Sequence, residues 1–163
     1  MRRCLIIGNQ TLGGDALERA VRSRLDRGVE AFYVVAPMTR LEHEASEWTS
    51  GFHTSDDLPS PRGEFGAMLE QQQHMRDAAH ARARRRLELV LDQIRSVGAV
   101  ADGEVGDPDP FAATRTVLER APHFEEIIVS TLPVSLSRWL EMDLPARLAR
   151  LTDTPVTIVT ARG

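Results

Sequence analysis

Two short polar segments contain the residues best suited to bind a ligand, and each follows an apolar run that predicts a buried strand. Asn9, Gln10 and Thr11 come after the run at residues 4–7. Hydroxyls and one arginine follow the run at residues 127–129, at Ser130, Thr131, Ser135, Ser137 and Arg138. Such groups can hold an anion or a sugar. Because ligands of open α/β sheets bind beyond the carboxyl ends of the strands, the two segments predict one polar pocket.

A structural interpretation of the same residues stays open. The segment Gly8–Gly14 has glycines five apart, as in a phosphate-binding loop, but it lacks the lysine of that loop and continues into Asp15. This pattern favours a flexible turn into a helix. In the second segment, the hydroxyls would stabilise the turns of their own loop, Arg138 would pair with Glu141, and Trp139 would pack at the entry of a helix.

The residue types present exclude several classes of enzyme chemistry. All 20 basic residues are arginine, which removes lysine Schiff bases and the lysine of a phosphate-binding loop. Cys4 is the one cysteine, and the histidines lack the spacing of metal ligands, so no metal site is predicted. These histidines are His43, His53, His74, His80 and His123. The sequence also lacks the nucleophile motif of α/β hydrolases, so we assign no catalytic residue and expect no enzyme.

Composition and charge indicate a globular protein that binds neither nucleic acid nor membranes. The chain has 163 residues, of which 42% are apolar, enough to fill one core. Its formal net charge of −4 provides no positive field for a polyanion. No apolar run has the length of a membrane span, and we expect a cytoplasmic protein.

A run of arginines is interpreted as a solvated helix face, with an acidic protein partner as the alternative: Arg82, Arg84, Arg85 and Arg86.

Strand and helix patterns alternate along the chain. Apolar runs predict strands at 4–7, 32–35, 127–129 and 156–159, and a weaker alternating stretch at 99–105 predicts a strand near a sheet edge. Helices are predicted from a capping box of Asp15 and Glu18 to Gly28, over 65–97, from Asp109 to residue 122, and from Asp143 to residue 151. This order predicts a single Rossmann-like α/β domain over 1–163, a three-layer sandwich around a five-stranded parallel sheet. Residues 38–64 form an irregular loop or lid within it.

The segment after the fourth strand resembles the universal stress protein family. In ATP-binding members that strand is followed by G-x-x-G, nine residues, then Gly and Ser or Thr, and Ser130, Pro133 and Asp143 keep this spacing. Gly106–Pro108 and the final Pro155-Val156 strand also match. The resemblance implies the adenine nucleotide alpha hydrolase-like fold with strand order 3-2-1-4-5. It further implies a role in a stress response and a homodimer joined through the C-terminal strand.

The departures from the family motif concern the phosphate site. Pro133 has no N–H to offer a phosphate. Asp143 is expected to satisfy the amides at the start of the last helix with its own carboxylate and to repel a triphosphate. The family's acidic residue after the first strand is replaced by Gly8 or Asn9. We therefore expect no cofactor, with ATP or another adenine nucleotide disfavoured.

Three functional hypotheses follow from the sequence. The leading one is a dimeric binding or regulatory module of the universal stress protein type that does not bind ATP through the usual motif. The second is a nucleotide- or anion-binding protein that uses the remodelled loop with Arg138. The third is an enzyme of the wider fold, although neither an S-G-G-x-D-S motif nor an H-x-G-H motif occurs in the sequence.

Overall fold

The computed structural model describes residues 1–8, 11–38, 61–133 and 137–161. The described strands are β1 (Arg3–Ile7), β2 (Ala31–Pro37), β3 (Val100–Gly106), β4 (Glu126–Thr131) and β5 (Val156–Thr160). The described helices are α1 (Asp15–Asp26), α2 (Pro61–Ser96), α3 (Pro110–Arg120), α4 (Arg138–Glu141) and α5 (Leu144–Leu151). The four-residue helix α4 is the one described element that the sequence patterns did not predict.

The five strands form one parallel sheet in the order β3-β2-β1-β4-β5, which confirms the predicted fold. β1 lies at the centre, where Ile6 is in register with Val34 of β2 and Ile128 of β4. The weakly apolar strand β3 is at one edge, as its alternating sequence predicted, and β5 is at the other. The carboxyl ends of β1 and β4 are therefore neighbours at the point where the strand order reverses.

Side chains of the central strands alternate between two hydrophobic cores. Ile6 contributes to the core formed with α1 and α2, whereas Ile7 contributes to the core formed with α3 and α5. Both side chains are completely buried. Continuous apolar runs are typical of parallel strands covered by helices on both faces. Cys4 is part of the first core, where burial raises the pKa of its thiol to about 11 and makes it an unreactive packing residue.

The helix starts test two of the predicted caps. Asp109 is the N-cap of α3, and its carboxylate accepts a hydrogen bond from the backbone N–H of Phe111 at 3.0 Å, as predicted. The predicted capping box of Asp15 and Glu18 is wrong. Within residues 11–38 the N-cap of α1 is Gly14, without a side-chain capping bond, so the helix begins one residue earlier than the box requires. Glu18 instead accepts hydrogen bonds from Arg22 and Gln93.

A bidentate ion pair joins α1 to the start of β4. The Arg24 guanidinium donates to both carboxylate oxygens of Glu126, at 2.7 and 2.9 Å. The two side chains are only 14% and 16% exposed. The hydrogen bonds from Arg24 hold the pKa of Glu126 below its usual range. By contrast, the side chains of the ion pair between Arg84 and Glu88 on α2 are both more than 60% exposed.

We predict that Glu126→Gln lowers the free energy of unfolding at pH 7 by about 2 kcal/mol, because a charge-assisted hydrogen bond is lost. The pKa of Glu126 in the folded protein lies below its value in the unfolded chain, about 4.3. The stability contributed by the ion pair with Arg24 is therefore fully present above that pH. It is lost as the pH falls through the lower, folded-state pKa. Urea titrations of both proteins at a series of pH values measure the difference.

The matched control is Glu88→Gln, which breaks an exposed pair and is expected to cost only about 0.3–0.5 kcal/mol. A difference between the native protein and Glu126→Gln that persists unchanged to pH 2.5 (about two pH units below the unfolded pKa of Glu) would contradict this assignment.

Candidate functional site

The carboxyl ends of β1 and β4 are joined by two side-chain hydroxyls. Thr11 lies in the turn after β1, and Ser130 is the next-to-last residue of β4. Their oxygen atoms are 2.7 Å apart in a buried hydrogen bond. Only 7% of Thr11 and 2% of Ser130 is exposed. The sequence predicted that the segments containing these two residues would face each other, and the structure shows that the two side chains are in contact.

A second hydroxyl pair fixes the segment after β4. Thr131 is hydrogen-bonded to Ser137, and both side chains are buried. The Ser137 oxygen also accepts a hydrogen bond from the backbone N–H of Leu140 at 3.3 Å, as an N-capping hydroxyl does. Ser137 therefore connects the end of β4 to α4. This pairing explains why a four-residue helix forms here.

The hydroxyls of Thr11, Ser130, Thr131 and Ser137 are all hydrogen-bonded to other groups of the protein. Within the described residues, no buried side-chain nitrogen or oxygen lacks a hydrogen-bond partner. A ligand group that replaces Ser130 as the partner of Thr11 must break their buried bond, and a buried polar group left unpaired costs about 1–3 kcal/mol. Of the other predicted pocket residues, Asn9, Gln10 and Ser135 lie outside the described residues, and Arg138 is the first residue of α4.

Gly8 lies directly after β1, in contact with the Leu12 side chain. Its backbone N–H donates to the carbonyl of Val35 at 3.2 Å. A Cβ atom at Gly8 would lie 2.6 Å from a methyl carbon of Leu12 and 3.3 Å from Cβ of Ser130. A carboxylate such as the family's acidic residue would require Leu12 to move. Leu12, which the sequence analysis did not single out, thus contributes to closing this end of the sheet.

Asp143 occupies the N-cap position of α5 in a left-handed conformation, with φ of 56°. Left-handed backbone favours glycine, the residue that the family motif has here. The expectation that its carboxylate caps α5 is wrong: within residues 137–161 its side chain makes no capping hydrogen bond. This backbone geometry accompanies an exposed carboxylate, 3.9 Å from Arg150.

The backbone donors of the matching motif are nevertheless reduced. The N–H of Asp143 donates to the carbonyl of Leu140 at 3.1 Å, so it is already used. Pro133 and Pro145 have no N–H. Leu144, which stands where the family motif has Ser or Thr, is completely buried in the core formed with α3. These positions offer a phosphate fewer donors than glycines and a hydroxyl would.

Other kinds of site find no support in the described part of the chain. Among residues 1–8, 11–38, 61–133 and 137–161, no three His, Cys, Asp or Glu side chains are grouped as a metal site. His74, His80 and His123 are exposed and separate, while His43 and His53 lie outside the described residues. No helix in the same part of the chain is long and apolar enough to cross a membrane.

Comparison with solved structures identifies proteins that share this fold. The hypothetical protein PH0823 is 17% identical, with a TM-score of 0.52 over 99% of this chain and 97% of that one. The hypothetical protein MJ0577 is 13% identical, with a TM-score of 0.52 over 100% and 99% of the two chains. A universal stress protein in complex with cAMP has 14% identity and a TM-score of 0.48 over 98% and 97%.

The fold of this chain is that of the universal stress protein structures, as the motif spacing predicted. At these identities the likeness establishes the fold and not an activity. No family model matches the sequence. No curated protein matches it either.

We predict that Thr11→Val and Ser130→Ala each lower the free energy of unfolding by about 1–3 kcal/mol, because each leaves a buried hydroxyl unpaired. The double variant should lose less than the sum, by about 0.5–2 kcal/mol, since it removes both partners. Urea unfolding of the four proteins measures this coupling. Thr116→Val is the control, because Thr116 is exposed on α3, and it should change stability by less than about 0.5 kcal/mol. Strict additivity of the two substitutions would show that the pair has no energetic role.

Proposed function

We propose that this protein is a binding and regulatory module with the universal stress protein fold, that it does not bind ATP through the usual glycine-rich motif, and that it acts as a homodimer. The module is one domain over residues 1–163. Its family resemblance supports a role in a stress response in the cytoplasm. No catalytic residue is assigned to it.

The observation that carries this proposal is the set of contacts at the topological switch point, where the carboxyl ends of β1 and β4 lie side by side. A nucleotide-binding cleft needs backbone N–H groups and space where the strand order reverses. Here the Thr11–Ser130 hydrogen bond spans that point, and Leu12 occupies the space above Gly8. The N–H of Asp143 is used by Leu140, and Pro133 has none. These contacts support the proposal that the protein's own groups take the position that binds phosphate in the ATP-binding members.

The two sheet edges support dimerisation through β5. An unpaired edge strand exposes backbone donors and acceptors that favour pairing with another chain unless charged residues protect it. Edge strand β3 carries Asp102 and Glu104. Edge strand β5, with the sequence VTIVT, carries no charge, and Ile158 is 43% exposed at its centre. A copy of β5 is a suitable partner because a two-fold axis satisfies both edges at once.

We predict that titration calorimetry detects no binding of ATP, AMP or cyclic AMP to the purified protein at millimolar nucleotide. Binding would require opening a buried hydroxyl pair, at a cost of about 1–3 kcal/mol for each group left unpaired. The same titrations with Arg138→Ala and with Arg150→Ala provide a matched pair of variants. Arg138 belongs to the predicted loop, whereas Arg150 lies 3.9 Å from Asp143 near the end of α5.

Heat of binding in the native protein would contradict the proposal. If that binding were lost in Arg138→Ala and kept in Arg150→Ala, the second hypothesis would replace it, namely a nucleotide or anion site built from the remodelled loop.

We predict that Ile158→Asp converts the dimer to a monomer, because the introduced charges would be buried against each other in the paired edge strands. Sedimentation velocity at micromolar concentration measures the mass. The control is Val100→Asp, an equally drastic change at a residue that is 57% exposed on the opposite edge strand, and it should leave the dimer intact. Circular dichroism checks that both variants stay folded. A folded Ile158→Asp variant with the dimer mass would overturn pairing through β5.

A further inference from the structure

Helix α2 carries a basic stripe on a side that does not pack on the sheet. The buried side chains of this part of the helix are small or apolar: Ala79, Ala83, Leu87 and Val90. Spacing of i, i+3, i+4 and i+7 places another set of side chains together on a different side of the helix. We call these four residues the arginine stripe: Arg82, Arg85, Arg86 and Leu89. Arg82 and Arg85 are exposed, Arg86 is half-buried, and Leu89 is 70% exposed.

The spacing of like charges distinguishes the arginine stripe from a solvated helix face. On the described helices, other exposed arginines lie within ion-pair distance of a carboxylate three or four positions away: Arg22, Arg84, Arg95 and Arg115. Arg82 instead has Arg85 and Arg86 at those positions, and like charges at this spacing destabilise a helix. Arg82 and Arg86 also interact within the protein. A face that only contacts water would gain stability from mixed signs, so the stripe indicates recognition of a negative group.

The acidic residues that follow the stripe on α2 already lie beside other arginines. Glu88 is 3.3 Å from Arg84, and Asp92 is 3.5 Å from Arg95. Residues 82–86 carry four positive charges on a chain whose net charge is −4. The arginine stripe is therefore a local positive surface, and Leu89 adds one exposed apolar side chain to it.

We propose that the arginine stripe binds an acidic helical segment of a partner protein, with carboxylates at i, i+3 and i+4 and an apolar residue against Leu89. Arginine suits this role because its guanidinium donates two parallel hydrogen bonds to one carboxylate. From residue 82 to residue 89 the stripe is about 10 Å long, or two helical turns. It contains no residue of β5 or of the segments after β1 and β4, so it is independent of the proposed dimer and of nucleotide binding.

Polyanions of other classes fit the stripe less well. A nucleic acid gains affinity from many phosphate contacts, and the stripe offers three arginines on an acidic chain. A helix that lies on a membrane needs a broad apolar face, whereas Leu89 is the one apolar member of the stripe. A short acidic segment with one apolar side chain matches both the length and the composition of the surface.

The test measures binding of a fluorescent synthetic peptide of about 20 residues, long enough to form a helix, by fluorescence anisotropy. The peptide carries glutamates at i, i+3 and i+4 and a leucine at i+7. The native protein should bind it more tightly at low salt than at high salt. Arg82→Gln/Arg85→Gln should weaken binding at least about tenfold, because charge-assisted hydrogen bonds are lost. Arg19→Gln/Arg115→Gln removes the same charge from exposed positions on α1 and α3 and should leave the affinity nearly unchanged.

Absence of binding by the native protein at millimolar peptide would overturn the proposal. Equal weakening by the two double variants would indicate attraction to net charge alone and would reject the stripe as the site. The same titrations are made with polyuridylate and with vesicles that contain phosphatidylserine. Stripe-dependent binding of either one, without binding of the peptide, would assign the surface to a nucleic acid or a membrane and reject a protein partner.

The chain's own carboxylates are the remaining competitor for the stripe. The sequence that precedes α2 is acidic, with Glu42, Glu44 and Glu47 close together. The proposal predicts that replacing all three glutamates by glutamine leaves the affinity for the peptide unchanged. Binding of the peptide by this triple variant but not by the native protein would show that the stripe is occupied by its own chain, and would reject the partner.

Discussion

The hydrogen bond between Thr11 and Ser130 closes the carboxyl end of the sheet where the strand order reverses. It joins the turn after β1 to the end of β4, two of the three inner strands, whose side chains contribute to both cores. A parallel sheet of this topology ordinarily leaves a crevice at that position, which ligands occupy. In this protein, the hydroxyls of Thr11 and Ser130 are bonded to each other at that position, and a second hydroxyl pair lies in the neighbouring segment.

The segment after β4 is organised around that closure. Thr131 and Ser137 form the second pair, and Ser137 caps α4. The turn from α4 into α5 then passes through left-handed Asp143, whose N–H is bonded to Leu140. The backbone conformation suited to glycine is kept at this residue, but its N–H is bonded within the protein. The strand arrangement of this fold is thus compatible with a motif position, Asp143, whose N–H is bonded within the protein.

Apolar runs predicted the strands because strands buried on both faces of a parallel sheet are continuously apolar. The order of the strands was implied by the family resemblance. The cap at Asp109 was predictable because Asp followed by Pro has one common local geometry. Prediction was less successful where tertiary contacts determine a side chain's hydrogen-bond partner or a residue's backbone conformation. Glu18 accepts a hydrogen bond from Gln93, a residue 75 positions away in the sequence. The left-handed Asp143 is hydrogen-bonded to Leu140 of α4, a helix that the sequence patterns did not predict. The hydroxyls could be grouped from sequence, but their pairing could not.

Native mass spectrometry of the freshly purified protein tests the proposed closure of the topological switch point most directly, because it also detects a ligand acquired during expression. The account predicts species whose masses are multiples of the 18.1 kDa chain, without any adduct. An adduct with the mass of a nucleotide, retained through purification, would contradict it. That result would mean that the hydroxyl pairs open to admit a ligand and that the motif positions still bind phosphate.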